Sequence, residues 1–265
     1  MDLQLTQKTA LVTGAHRGTG LVIAETLAAE GARVILHAFQ EDQAQQAMAA
    51  VDSELDIVPV IGNILTDEGA QQVADQLQSQ GIVVDILINN YGSALFGKWG
   101  KLSVDQWIEA ANVNLFSAIR LIHHCLPDMK TRQWGRIVNL STIGDHQPNS
   151  IMPHYYGAKA ALSNASVSLA KELSGTGITV NTVSPGLIHT EEVEAAYKLR
   201  ANKKGWPQDW PALEQKIVEQ DFPNPCERLA TRQEIADLVV FLTSPRAGFI
   251  NGQNIRVDGG AVRYV

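Results

Sequence analysis

Short runs rich in β-branched residues alternate with longer amphipathic stretches along almost the whole chain, and this alternation narrows the fold most. Thr9–Thr13, Arg33–His37, Asp56–Val60, Asp85–Asn89, Gly135–Leu140, Thr179–Val183 and Asn254–Val257 read as strands. Leu21–Glu30, Glu41–Glu54, Asp67–Gln80, Val104–Lys130, Tyr155–Leu173 and Gln233–Leu242 read as helices, with Gly31 and Gly81 closing two of them. Parallel strands need crossovers, and helices supply them, so strict alternation specifies an α/β fold with a parallel sheet covered on both faces. The connections are short, so residues 1–265 read as a single domain. Only residues 191–227 break the rhythm. They lack a strand, carry Trp206, Pro207, Trp210, Pro211, Pro223 and Pro225, and show helical character at Glu191–Ala201 and Ala212–Gln220. An excursion this long is expected to be a substrate-binding segment or lid.

Composition removes several function classes. The chain has 265 residues and a formal net charge of -7, so it lacks the basic excess that nucleic acid or an anionic membrane requires. No apolar run reaches the roughly 18 residues of a membrane span, and no signal peptide is evident. Cys125 and Cys226 form no disulfide framework. A cytoplasmic protein acting on a small molecule is expected, with no metal: His123-His124-Cys125 has suitable letters, but adjacent helical residues diverge.

The first strand leads into Thr13-Gly14-Ala15-His16-Arg17-Gly18-Thr19-Gly20. Glycines at 14, 18 and 20 allow a sharp turn and a close ligand approach, and the following helix offers free N–H groups and a favourable dipole to an anion. In this position the loop predicts dinucleotide binding. The second strand ends Leu36-His37-Ala38-Phe39-Gln40, with Ala38 where an acid would bind the ribose 2′-hydroxyl of NAD. With no repulsive carboxylate there, and His16, Arg17 and His37 available to a 2′-phosphate, NADP(H) is favoured over NAD(H).

Downstream, Ser141-Thr142 precedes Tyr155-Tyr156-Gly157-Ala158-Lys159. Residues 155 and 159 share one helix face, so a phenol lies beside an ammonium that favours its ionised form. Such a phenol can exchange a proton near neutral pH.

Together the glycine loop, Asn89-Asn90-Tyr91-Gly92, Asn114, Thr142, Tyr155, Lys159, Pro185-Gly186 and the terminal Val257-Asp258-Gly259-Gly260 resemble the short-chain dehydrogenase/reductase family, near its 3-oxoacyl-carrier-protein reductases. The resemblance implies a doubly wound, seven-stranded parallel sheet of Rossmann type and a Ser-Tyr-Lys site assisted by Asn. Tyr155, Lys159 and Asn114 match, and Thr142 stands where the family has serine; Ser141, its strand-end neighbour, points to the opposite face. By resemblance, the helix is kinked at Asn114 and holds a water that links Lys159 to solvent. The cofactor set carried over is Gly14, His16, Arg17, Gly18, Thr19, Gly20, Ala38, Asn63, Ile64, Asn90, Gly92, Tyr155, Lys159, Pro185, Gly186, Ile188 and Thr190. Asn63, Tyr91 and Thr19 depart from the usual Asp, small residue and aliphatic.

The implied activity interconverts a carbonyl and a secondary alcohol in a homotetramer or homodimer. Two other readings compete: a 3-oxoacyl thioester reductase, and a cofactor-binding sensor or scaffold with little turnover. Lys198, Arg200, Lys203 and Lys204 could dock an acyl carrier or form a solvated face. Trp206, Trp210 and Tyr197 suggest a bulky or apolar substrate, or else pack the excursion onto the body. Residues 145–154 are expected to line the pocket, with His146 and His154 flanking the site.

Overall fold

In the computed structural model, which describes residues 1–94 and 96–263, every expected strand run forms a strand. They are β1 Thr9–Val12, β2 Arg33–Ala38, β3 Ile57–Ile61, β4 Ile86–Asn89, β5 Gly135–Leu140, β6 Ile178–Pro185 and β7 Asn254–Val257. All pair in parallel, in the order β3-β2-β1-β4-β5-β6-β7. The order reverses between β1 and β4, and a crevice opens at that switch point, outside the carboxyl ends of the strands.

The period-2 pattern divides the core. Ala10 and Val12 of β1, Val34 and Leu36 of β2, and Ile86 and Ile88 of β4 face one side. They pack there on Ile23, Ala24 and Leu27 of α1 (Gly18–Ala29) and Ile235 and Val239 of the last long helix. Leu11, Ile35, Leu87 and Ile137 face the other side, against Val73 and Leu77 of α3 (Asp67–Ser79) and, farther along, Leu121 and Met129. Each fully buried Leu or Ile stabilises the fold by roughly 1.5–3 kcal/mol before chain entropy is counted.

The helices differ from expectation at informative places. α1 starts three residues early, at Gly18, so the glycine loop enters it directly. α2 (Glu41–Ala50) stops short of Glu54 because Val51 turns to extended backbone. The long 104–130 helix is three pieces: α4 Val104–Ala111, a π-helical turn over Asn112–Phe116, and α5 Ser117–Arg132. The remaining helices are α6 Pro153–Glu172, α7 Glu191–Lys204, α8 Trp210–Gln220 and α9 Arg232–Thr243, with short 3₁₀ turns that include Ile143–Asp145. The excursion is helical, as expected. Its helices enclose a small core of their own, Ala201, Leu213, Ile217 and Val218 with Leu229, onto which Tyr197, Trp206 and Trp210 pack. Among the described residues, no helix is long and apolar enough to cross a membrane.

Candidate active site

β5 ends at Leu140, and the next two side chains part. Ser141 turns inward, and its hydroxyl donates to Asp145 Oδ2 at 2.7 Å. Thr142 faces the other way: its hydroxyl hydrogen-bonds the Tyr155 phenol and accepts the Gly144 N–H at 3.3 Å. The strand-end alternation thus brings Thr142, and not Ser141, to the tyrosine.

Helix α6 opens with Pro153, where a missing N–H costs nothing. Lys159 lies one turn beyond Tyr155, 3% exposed, and its ammonium donates to the Leu140 carbonyl at 2.7 Å. Burial lowers its pKa to about 8, with Asp145 acting in the opposite direction. Burial raises the Tyr155 phenol above its usual value; Tyr156 and Asp145 add to that, and the Thr142 hydrogen bond opposes it. This corrects the expectation that Lys159 sets a lowered phenol pKa. The ammonium is turned to a backbone carbonyl, and desolvation of the phenol dominates. Tyr156 is buried, accepts from Asn149 Nδ2 at 2.8 Å, and lays its ring against Gly144, where any side chain would collide with it. The second tyrosine is therefore a packing wedge behind the Thr142 turn.

The π-helical turn contains Asn114, so the kink expected from the resemblance is present. The Asn114 amide clamps the chain after β4, with Oδ1 accepting from Ser93 N at 3.0 Å and Nδ2 donating to Ser93 O at 3.1 Å. A side chain at Gly92 would begin 2.8 Å from Asn114 Oδ1 and 2.9 Å from Lys159 Nζ, so these two groups converge on one bare stretch of backbone.

At the switch point, Gly14 and Gly18 adopt left-handed φ values of 60° and 62°. No side chain caps α1 behind Arg17, whereas Thr66, Ser103, Thr190, Asp209 and Thr231 cap α3, α4, α7, α8 and α9. The first N–H groups of α1 are left for an external anion. His16 Nδ1 is buried without a partner, and Ala38 closes β2 with no carboxylate. Uncapped helix, orphaned imidazole nitrogen and bare backbone at Gly92 together fit a phosphate-bearing dinucleotide. His37 does not join them: it is fully buried, its Nδ1 accepts from Gly14 N at 3.1 Å, and its Nε2 faces Gly62 O at 2.9 Å. Both ring nitrogens are used, so His37 braces the loop instead of meeting a 2′-phosphate. Burial holds its pKa down at about 4.

The other cofactor candidates take varied local places. Asn90 donates to Thr13 O at 2.9 Å, which fixes the β1 exit. Tyr91 packs on Phe39, with ring centroids 4.6 Å apart. Asn63 is exposed and its Oδ1 accepts from Leu65 N, while the Ile64 side chain is buried in the core. Thr19 lies in the first turn of α1 and Gly20 is buried there. Pro185 ends β6, Gly186 N donates to Val257 O at 2.9 Å, Ile188 bridges to Ala230, and Thr190 caps α7. Arg17 is largely exposed and pairs with Glu192 of α7 at 3.2 Å.

Around this site, His154 is buried near Trp107, and His146 pairs with Asp145 at 2.5 Å. Trp210 stacks on His189 at 4.2 Å, and Trp206 lies beneath Arg200 and Lys204. Arg200 also pairs with Asp221, and Lys198 with Glu194 at 2.6 Å. These aromatics and cations hold the excursion to itself and to the body. The described residues contain no cluster able to hold a metal. Sequence reasoning missed Asp145, Gly144 and the bracing role of His37; only the Ser- and His-rich neighbourhood of Asp145 hinted at a polar cluster.

A family model described as Enoyl-(Acyl carrier protein) reductase matches residues 14–262. The chain is 34% identical to the uncharacterized oxidoreductase YvaG of Bacillus subtilis, over 100% of both chains. It is also 34% identical to the 3-oxoacyl-[acyl-carrier-protein] reductase FabG of Escherichia coli, over 96% of each. Among solved structures it is similar to the L-sorbose reductase of Gluconobacter frateurii complexed with NADPH and L-sorbose, with a TM-score of 0.93, 31% identity and 100% of both chains covered.

Proposed function

We propose that this chain, which belongs to the short-chain dehydrogenase/reductase family of oxidoreductases, interconverts a small-molecule carbonyl and a secondary alcohol with NADP(H), using Tyr155 as acid and base. The observation that carries this reading is the Thr142 hydroxyl on the Tyr155 phenol, with the Lys159 ammonium buried one turn away. Bound NADP(H) supplies hydride exchange with the carbonyl carbon. The free N–H groups of α1, with His16 and Arg17 beside them, receive the phosphates. Absence of an acid at Ala38 favours the 2′-phosphorylated form, in keeping with the NADPH held by the sorbose reductase. Gly92 leaves room for the nicotinamide ribose next to Lys159 and Asn114. Pro185, Gly186, Ile188 and Thr190 flank the nicotinamide.

Thr142 and Tyr155 both donate to the substrate oxygen, where negative charge develops during reduction. Tyr155 then gives that oxygen its proton. The raised phenol pKa keeps this proton in place at neutral pH, so the free site is poised as an acid. The phenolate left behind regains a proton from the Lys159 ammonium, which in turn takes one from solvent beside the Asn114 turn. The excursion 191–227 acts as the lid.

Of the cations that could dock an acyl carrier, Lys198, Arg200 and Lys204 are held by Glu194, Asp221 and Trp206, which favours a free small molecule such as a ketose over a carrier-bound thioester. Exposed apolar side chains on α4 and at the π-helical turn, Val104, Ile108 and Phe116, support a homodimer or homotetramer.

The test is a panel of L-sorbose, other ketones and an acetoacetyl thioester with NADPH and NADH, followed at the nicotinamide absorbance. Turnover with NADPH is expected, and Tyr155→Phe should lower kcat about 10³-fold. Near-normal turnover by Tyr155→Phe would overturn the assignment. Cofactor binding with no turnover of any substrate would favour the sensor reading.

A further inference from the structure

The Asp145 side chain is 1% exposed, yet it receives donors from five places. On Oδ2 converge Ser141 at the end of β5 at 2.7 Å, Ser163 of α6 at 2.5 Å, Ser184 of β6 at 3.1 Å and Asn254 of β7 at 2.8 Å. His146 Nδ1 lies 2.5 Å from Oδ1. A carboxylate offers about four lone-pair sites, and these neighbours crowd most of them. Its backbone N–H donates to Thr142 O at 3.0 Å, which closes the turn that carries the Thr142 hydroxyl. Ser163 lies one turn beyond Lys159 on α6. The carboxylate thus links the Thr142 turn to the helix bearing Tyr155 and Lys159.

We propose that Asp145 is a positioning residue of this site: it fixes the Thr142 turn against α6, the helix that bears Tyr155 and Lys159. The proposal rests on the oxidoreductase reading above. Removing a buried acceptor that five donors share leaves those donors without their partner, so the whole turn responds. His146 on its own turn touches the carboxylate, Tyr155 and Lys159 of α6 feel its charge, and Ser184 of β6 and Asn254 of β7 are uncharged partners.

The test begins on the cofactor-free protein. Lysines labelled with ¹³C at Cε are titrated by NMR, with Lys159→Met assigning the Lys159 signal. Asp145→Asn should lower the Lys159 midpoint by about one pH unit, as loss of one nearby charge does. Asp145→Glu, which keeps the charge, should leave the midpoint close to wild type. With NADPH and the panel ketone turned over fastest, both variants should lose kcat by about tenfold or more, because the reacting hydroxyls are misplaced, while KM for NADPH holds. The alkaline limb of the kcat–pH profile should move to lower pH in Asp145→Asn alone. Wild-type kcat in folded Asp145→Asn overturns the proposal. If that variant does not fold, Ser163→Ala decides: it removes only the tie to α6, and wild-type kcat there overturns the positioning role. Should Tyr155→Phe keep its turnover, the parent reading fails instead, so the two failures are separable.

Discussion

The loops of the main body and the excursion 191–227 are tied down by different physics. In the body, buried polar groups brace the loops: Asp145 gathers donors from four strands and helices, and His37 spans Gly14 and Gly62. The excursion is held by a small apolar core and by surface ion pairs, such as Lys198–Glu194 within it and Arg17–Glu192 and Arg232–Glu191 to the body. Buried hydrogen bonds are directional and costly to break, whereas surface pairs are worth little and exchange readily with water. The proposed proton-transfer groups therefore stand on a rigid base, while the excursion, proposed above as the lid, can be reshaped without disturbing them.

The sharpest way to break this contrast is at Gly92, on the rigid side. Gly92→Ala pushes a methyl group into Asn114 Oδ1 and Lys159 Nζ and should cost about 100-fold in kcat, with the fold intact by circular dichroism. Wild-type kcat would show that the two groups need no fixed spacing. Next in size is His37. Its folded pKa of about 4 lies below the 6.5 of a free imidazole, so its contribution is complete above pH 6.5 and is lost as the pH falls towards 4. That loss amounts to roughly 3 kcal/mol. His37→Gln does not titrate and should flatten urea-derived stability across this window; a slope equal to wild type would count against the brace.

On the flexible side, Trp210→Ala removes the stack on His189 and should raise KM for the ketone by about threefold to tenfold, with kcat nearly unchanged. A larger loss in kcat would move the excursion into the rigid class. Smallest is Glu192→Gln, which frees an exposed Arg17 and should change stability by less than about 1 kcal/mol in denaturant melts.

The rigid and flexible regions were unequally legible. The strands and their core faces follow from alternation, because Leu11 between Ala10 and Val12 must face the other layer; the doubly wound sheet came from the resemblance. The Tyr155–Lys159 pair was readable from helix spacing, while the resemblance picked out Thr142 and strand alternation set it apart from Ser141. Asp145 was not, because an acid in a polar turn normally points to water; only the distant Ser163, Ser184 and Asn254 make its burial possible. His37 misled for the same reason. Its donors and acceptors come from Gly14 and Gly62, brought together by the pairing of β2 with its neighbours. In the excursion, tryptophans that read equally as pocket or packing proved to pack, against a core that no period announced.

The π-helical turn at Asn112–Phe116 also keeps two helices in phase. A π turn closes i→i+5 where an α turn closes i→i+4, so it takes up one extra residue locally. Deleting a single residue there would join α4 and α5 into one regular helix, with Leu121, Ile122, Cys125 and Met129 still seated against the sheet. Asn114 would instead lose the widened turn from which its amide reaches Ser93. The extra residue therefore serves the site alone, and the core on α5 does not depend on it.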